Sequence, residues 1–192
     1  MKGKRLSTKE KLGIALLGLS LWIQVIALGF AVGFDLWISK SATSGDSIWL
    51  IGLWRVCQRS AGEKIYWLGL QNCTVITDSA EISKLSAEGN WSSGLELLSL
   101  VFIGIAGFMT ILSHIFFLCG YIPKICCKTC GKASLPAVLF SSGAAQIGCL
   151  VSIYYMADQE GEFGLSYYLT AANLLPTWLS AVATAVVTCI VN

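Results

Sequence analysis

Four long apolar runs divide the chain, and each is long enough to cross a membrane as a helix. They extend over Leu12–Phe34, Leu97–Cys119, Leu135–Ala157 and Leu165–Val191. About 20 apolar residues cover the roughly 30 Å of hydrocarbon in a bilayer, and a helix satisfies its own backbone hydrogen bonds there. The pattern therefore predicts four membrane helices, with a long connecting segment at 35–96 and a short one at 158–164.

The first apolar run has some features of a secretory signal peptide, because it follows a basic start. Its apolar part is longer than the roughly 7–15 residues of a signal peptide, and no small-residue cleavage site precedes Asp35. We therefore expect an uncleaved membrane helix.

The segment 35–96 contains two runs with the composition of β-strands. Ile48–Val56 and Ile65–Leu70 are rich in Trp, Ile, Val and Tyr. The polar residues 58–64 between them include a glycine, as a hairpin loop would. We predict two paired strands here, followed by a short amphipathic helix over Asp78–Glu88 that leads back to the membrane.

Cys57 and Cys73 lie at the far ends of these two predicted strands, where they can meet. A bridge would close a loop of about 15 residues and contribute roughly 3 kcal/mol. A loop domain this small has little core and needs such a link. We expect a disulfide if the segment faces an oxidising compartment; the alternative is two free thiols.

Composition excludes a soluble domain. The 192 residues are 55% hydrophobic and 12% charged, and the mean hydropathy is +0.70. The chain has one histidine, no nucleophile paired with a base and no phosphate-binding loop. We therefore expect no enzymatic activity, cofactor, catalytic metal or nucleic-acid partner.

The distribution of charge predicts the orientation. Residues 1–11 and 120–134 together hold eight of the thirteen Lys and Arg and one acid, and the remaining connecting segments hold five basic and ten acidic residues. Cytoplasmic segments carry the excess of Lys and Arg. Both termini are therefore expected in the cytoplasm and the segment 35–96 outside.

Several single residues are candidates for modification or for polar contacts. Asn90 begins a glycosylation sequon and is otherwise an ordinary turn asparagine. Three cysteines in a basic cytoplasmic turn are candidates for palmitoylation or are plain reduced thiols. They are Cys126, Cys127 and Cys130. His114 is ionisable inside a membrane run, which suggests function; the blander interpretation is a neutral imidazole bonded to a neighbouring helix.

These features resemble the claudin superfamily, which includes claudins, peripheral myelin and epithelial membrane proteins, and calcium-channel γ subunits. The likeness in topology covers the whole chain, and the specific motif covers about forty residues. The motif is Trp37, then Gly52-Leu53-Trp54, then Cys57 and Cys73, and Phe163-Gly164-Leu165-Ser166-Tyr167 is similar to the segment that many members place before their fourth helix. One departure is Glu96, where claudins usually have a basic residue at the outer start of helix two.

The resemblance implies an all-α membrane fold, a four-helix bundle under a small antiparallel sheet formed by the first outer loop. It implies a plasma-membrane protein of cell–cell junctions that forms or supports a paracellular barrier or adhesion. Its partners would be membrane lipid and further copies of the chain, in the same membrane and across the contact. The alternatives are an accessory subunit of a channel or receptor and a myelin-like membrane organiser.

In claudins the stretch around the two cysteines supplies charges to the ion path. Here it offers Arg55, Arg59, Glu63 and Lys64. Arg55 is expected to pack against the Trp-rich sheet, and the other three are expected in the solvated hairpin loop. Two cations against one anion would make the loop mildly positive, so the claudin interpretation predicts a cation barrier or a weak anion preference.

Overall fold

A computed structural model provides the fold of the chain. The structure describes residues 7–34, 36–41, 47–53, 55–60, 73–75, 93–121, 128–157 and 161–191. Within these ranges it contains four long apolar helices and a small antiparallel sheet, which confirms this part of the predicted fold. The predicted strand Ile65–Leu70 and the predicted helix Asp78–Glu88 lie outside the described residues.

Three of the four helices begin several residues before their apolar runs, and the fourth begins with its run at Leu165. They are α1 (Thr8–Gly33), α2 (Ser93–Tyr121), α3 (Lys128–Ala157) and α4 (Leu165–Val191). In α1 the extension has a local cause, a reciprocal cap between Ser7 and Glu10. The Ser7 amide donates to Glu10 Oε2 at 2.7 Å, and the Glu10 amide donates to Ser7 Oγ at 3.3 Å. A capping box of this kind starts a helix in polar sequence ahead of its apolar part.

All four helices are long and apolar enough to cross a membrane. Large apolar side chains are exposed along each of them, for example Leu16, Phe108, Val151 and Leu179. Exposed apolar surface on this scale is unfavourable in water and favourable against lipid. The chain is therefore a multi-pass membrane protein.

Each helix packs mainly against two others. Helices α1 and α3 both contact α2 and α4. Among the described residues, the tightest approach of one helix to another lies between the end of α2 and the start of α3. A β-carbon at Gly131 would lie 2.6 Å from the Gly120 amide nitrogen and 2.7 Å from the Phe116 carbonyl oxygen. Small residues allow such backbone contact between membrane helices.

The interior of the bundle has two apolar clusters. One lies towards the sheet and includes Leu28 of α1 and Ile153 of α3, and the other includes Leu21 of α1 and Leu139 of α3. Buried polar side chains separate the two clusters along each helix. These are Gln24 on α1, Thr110 on α2, Ser142 and Gln146 on α3, and Asn173 and Thr177 on α4.

The sheet has five short strands in the spatial order β4-β3-β2-β1-β5, and every adjacent pair is antiparallel. The strands are β1 (Ile38–Ser41), β2 (Ser47–Ile51), β3 (Arg55–Ser60), β4 (Cys73–Val75) and β5 (Glu162–Phe163). The first four come from the segment between α1 and α2, and β5 comes from the segment between α3 and α4. The expectation that the first loop alone forms the sheet is therefore wrong by one strand.

The predicted strand Ile48–Val56 is also wrong as a single strand. It is divided into β2 and β3, which form a hairpin that turns at residues 52–54. Residues 58–60, expected in a hairpin loop, continue β3 and pair with β2. A glycine inside a run of strand formers weakens the strand and marks a bend, and Gly52 stands at this turn.

Candidate functional site: the sheet and its attachment to the helices

The sheet is attached to the helices by a buried indole. Trp37 is fully buried, and its amide donates to the Ile51 carbonyl oxygen at 3.1 Å. Its side chain belongs to the same apolar cluster as Ile38 and Ile51 of the sheet and Ile103 and Met156 of the helices. Burial of an aromatic side chain of this size contributes several times the free energy of a methyl group. Trp37 therefore links the first two strands to the end of the bundle.

The turn between β2 and β3 faces the same cluster. Gly52 is buried, and only 2% of Leu53 is exposed. Trp54, the third residue of the Gly-Leu-Trp motif, lies outside the described residues. Gly52 and Leu53 therefore follow the end of β2, and Leu53 lies among the apolar side chains beneath the sheet.

A second attachment joins the end of α1 to the start of α4. The Gly164 amide donates to the Trp37 carbonyl oxygen at 2.9 Å, and the Ser166 amide donates to the Leu36 carbonyl oxygen at 3.0 Å. Ser166 Oγ also donates to the Phe34 carbonyl oxygen at 3.0 Å. The first amides of a helix have no partner within the helix. Here the chain that enters the sheet supplies one, so α4 and β1 are fixed to each other.

The two cysteines of the predicted bridge are directly opposite each other in the sheet. Cys57 of β3 and Cys73 of β4 are register partners. Only 1% of the Cys57 residue is exposed. Cys73 lies on β4, a strand that the sequence did not predict, and the predicted strand Ile65–Leu70 lies outside the described residues.

The other candidate residues are placed as follows. Arg59 lies on β3 opposite Ile48 of β2, so its placement in a loop is wrong. Arg55 begins β3 and is paired with Val75. Cys130 is an exposed residue in the first turn of α3. The candidates Glu63, Lys64, Asn90, Cys126 and Cys127 lie outside the described residues.

His114 bonds within its own helix, so the expected hydrogen bond to a neighbouring helix is wrong. Its Nδ1 lies 3.0 Å from the Thr110 carbonyl oxygen, one turn earlier on α2. The neighbouring helix contributes a ring contact instead: Trp22 of α1 meets the imidazole edge to face, with centroids 5.3 Å apart. Nε2 is buried and has no hydrogen-bond partner among the residues that the structure describes.

The buried polar side chains form two hydrogen-bonded groups that sequence reasoning did not identify. In the first, Gln24 Nε2 lies 3.3 Å from Ser20 Oγ and 3.4 Å from Ser180 Oγ, which connects α1 with α4. A signal was present, because a single amide in an apolar run has to find a partner inside the bundle.

The second group centres on Gln146 of α3. Its Nε2 donates to Ser142 and Thr177, and its Oε1 accepts from Asn173 Nδ2 at 3.3 Å. Ser142 Oγ in turn lies 2.8 Å from Thr110 Oγ1. The group therefore joins α2, α3 and α4. All of these side chains are neutral, and their chemistry suits helix association.

The arrangement of the sheet and its attachments presents a surface at one end of a membrane bundle. No known protein-family model matches the chain, and no curated protein matches it at a significant level.

Proposed function

We propose that this chain is a claudin-like membrane protein of cell–cell contacts, which forms or supports a paracellular barrier or adhesion. The observation that supports this most is the antiparallel sheet held on one end of a four-helix membrane unit. Trp37 and Leu53, two residues of the family motif, are the buried side chains that attach this sheet. A surface fixed in this way is suited to contacts with other proteins, because little conformational freedom is lost on binding.

The proposal places the sheet outside the cell and both termini in the cytoplasm. The excess of Lys and Arg in residues 1–11 and 120–134 supports this orientation. Copies side by side in one plasma membrane would align their sheets. Sheets from opposing membranes would then meet across the contact, and lipid would surround the helices.

The proposal includes a disulfide between Cys57 and Cys73. Their direct pairing across β3 and β4 supports it, as does the burial of Cys57. Such a bridge fixes the edge strand of the sheet and restricts the unfolded chain.

The proposal also assigns the ion preference of the contact to charges near the cysteines, namely Arg59, Glu63 and Lys64. Two of the three are cationic, so the path would weakly favour anions. Salt screens charges beyond about 8 Å at physiological ionic strength, and the preference is therefore modest.

The deciding experiment is imaging in cells that form no junctions of their own. A fluorescently labelled chain is expressed in half of the cells of a mixed culture. It is expected to gather at borders between two expressing cells, because both membranes must present the sheet. Borders with non-expressing cells serve as the internal control and should show no enrichment.

Uniform distribution at both kinds of border would overturn the proposal. If the chain then changed currents only in cells that also express a channel, the accessory-subunit alternative would replace it. The same culture therefore separates the two functions.

A further inference from the structure

Five aromatic rings form a continuous row where α3 ends, β5 passes and α4 begins. The order of the rings is Tyr155, Tyr154, Phe163, Tyr167 and Tyr168, and successive ring centroids are 5.9, 6.0, 4.2 and 5.9 Å apart. We call this the aromatic row. Because the rings come from three elements, the row depends on the tertiary structure.

The three central rings of the row are nearly parallel, and the ring at each end is roughly perpendicular to its neighbour. Phe163 is stacked with Tyr154 and Tyr167, at interplanar angles of 18° and 19°. The outer rings are turned, Tyr155 at 81° to Tyr154 and Tyr168 at 87° to Tyr167. Each perpendicular pair places the faces of two rings at right angles, as in the aromatic cages that hold quaternary ammonium groups.

The row is exposed at the edge of the membrane-spanning region. Tyr154, Tyr155 and Tyr168 are 59%, 68% and 58% exposed. They lie in the last four residues of α3 and the first four of α4, the ends of two membrane spans. The row thus continues the exposed apolar surface of the helices at the depth of lipid headgroups. Tyrosine is favoured at this depth because its ring is apolar and its hydroxyl can stay hydrated.

An acidic residue stands beside the row. Glu162, immediately before Phe163, is exposed. The faces of aromatic rings are also negative. The surface therefore attracts a cationic headgroup and repels an anionic one.

We propose that the aromatic row binds the choline group of a phospholipid in the leaflet on the sheet side. A quaternary ammonium is a large cation without N–H donors, so ring faces and not hydrogen-bond acceptors recognise it. The acyl chains of the same phospholipid would lie along the exposed apolar surface of the helices. This site does not depend on the proposed function at cell contacts.

The test measures which lipids stay bound to the full chain. The protein is reconstituted in nanodiscs with equal amounts of phosphatidylcholine, phosphatidylethanolamine and phosphatidylglycerol with identical acyl chains. After gentle extraction, native mass spectrometry measures which lipid is present in complexes that retain a single lipid molecule. The wild type is expected to retain phosphatidylcholine roughly two- to fivefold over the other two, the range that a cation–π contact at an exposed site provides.

Two double variants test the role of the ring faces. Tyr154→Leu with Tyr167→Leu is expected to abolish the preference. Tyr154→Phe with Tyr167→Phe keeps the faces, loses only the hydroxyls and should retain it. Glu162→Gln, at an exposed position, should reduce the preference and increase phosphatidylglycerol retention.

Equal retention of the three lipids by the wild type would overturn the proposal and leave the row as a general interfacial belt or a protein contact. Equal retention of the choline and ethanolamine lipids would overturn it as well, since a primary ammonium would then suffice. If the leucine variant does not fold, an unchanged preference in Glu162→Gln would count against the site.

Discussion

Gly164 and Leu36 are in such close contact that a β-carbon at Gly164 would overlap the Leu36 carbonyl oxygen. This contact lies where the chain leaves α1 for the sheet and where it enters α4. Both flanking hydrogen bonds, from the Gly164 amide to Trp37 and from the Ser166 amide to Leu36, require the same close approach. The glycine is needed here for space between two backbones.

Gly164→Ala is therefore expected to destabilise the protein by about 3 kcal/mol, the upper part of the range for overpacking. The atom that would be displaced is backbone and cannot rotate away. Thermal unfolding in detergent measures the effect. Gly104→Ala is the matched control, because nothing lies within 4 Å of a β-carbon there. Equal unfolding midpoints for the two variants would show that the segments around Leu36 and Gly164 can move apart without loss of stability.

Gln146→Leu is expected to destabilise the bundle by about 2 kcal/mol. It removes three side-chain hydrogen bonds, each contributing roughly 0.6 kcal/mol within a membrane. Gln24→Leu removes two contacts of similar length and should cost less because fewer hydrogen bonds are lost. Unfolding of both variants in the same detergent provides the comparison. A larger loss for Gln24→Leu would contradict this ranking of the two polar groups.

The outer cysteines can be tested by the additivity of their substitutions. Cys57→Ser and Cys73→Ser are each expected to lower delivery to the cell surface. The reason is that loss of the bridge would destabilise the folded protein by roughly 3 kcal/mol. The double variant should be no worse than either single one, because all three lack the same bridge. Surface biotinylation measures delivery, and Cys149→Ser within α3 serves as a control for loss of a thiol. Independent, additive losses would exclude a shared bridge.

The orientation can be tested with epitope tags. A tag at either terminus should bind antibody only after permeabilisation, and a tag inserted between Ala61 and Gly62 should bind it on intact cells. The basis is the excess of basic residues in 1–11 and 120–134, since cytoplasmic segments carry such an excess. Antibody labelling of an N-terminal tag on intact cells would show that the orientation is the reverse of the proposed one, with the sheet inside the cell.

The ion preference provides a test of the junction proposal. In a cell layer that expresses the wild type, dilution potentials should give a chloride-to-sodium permeability ratio slightly above that of the untransfected layer. Arg59→Glu with Lys64→Glu reverses two charges and should lower the ratio below it. Lys84→Glu, another reversal in the outer segment but distant in sequence from the cysteines, is the control. Unchanged permeability ratios in the double variant would show that Arg59 and Lys64 do not line an ion path.

The sequence by itself determined the four membrane spans and the location of a small sheet between the first two. Both conclusions rest on local signals: apolar runs must be buried in lipid as helices, and runs of Trp, Ile and Val favour strands. The sequence also indicated that Cys57 and Cys73 could meet, and the structure pairs them across β3 and β4.

Only the tertiary structure decided how these elements are joined. The hairpin at residues 52–54, the strand from Glu162–Phe163 and the close contact of Gly164 with Leu36 all depend on segments far apart in sequence. The same holds for the amide groups around Gln24 and Gln146 and for the aromatic row. The pattern of hydrophobic residues indicates which side chains leave water. Which partner each of them contacts is decided by packing between segments that are distant in sequence.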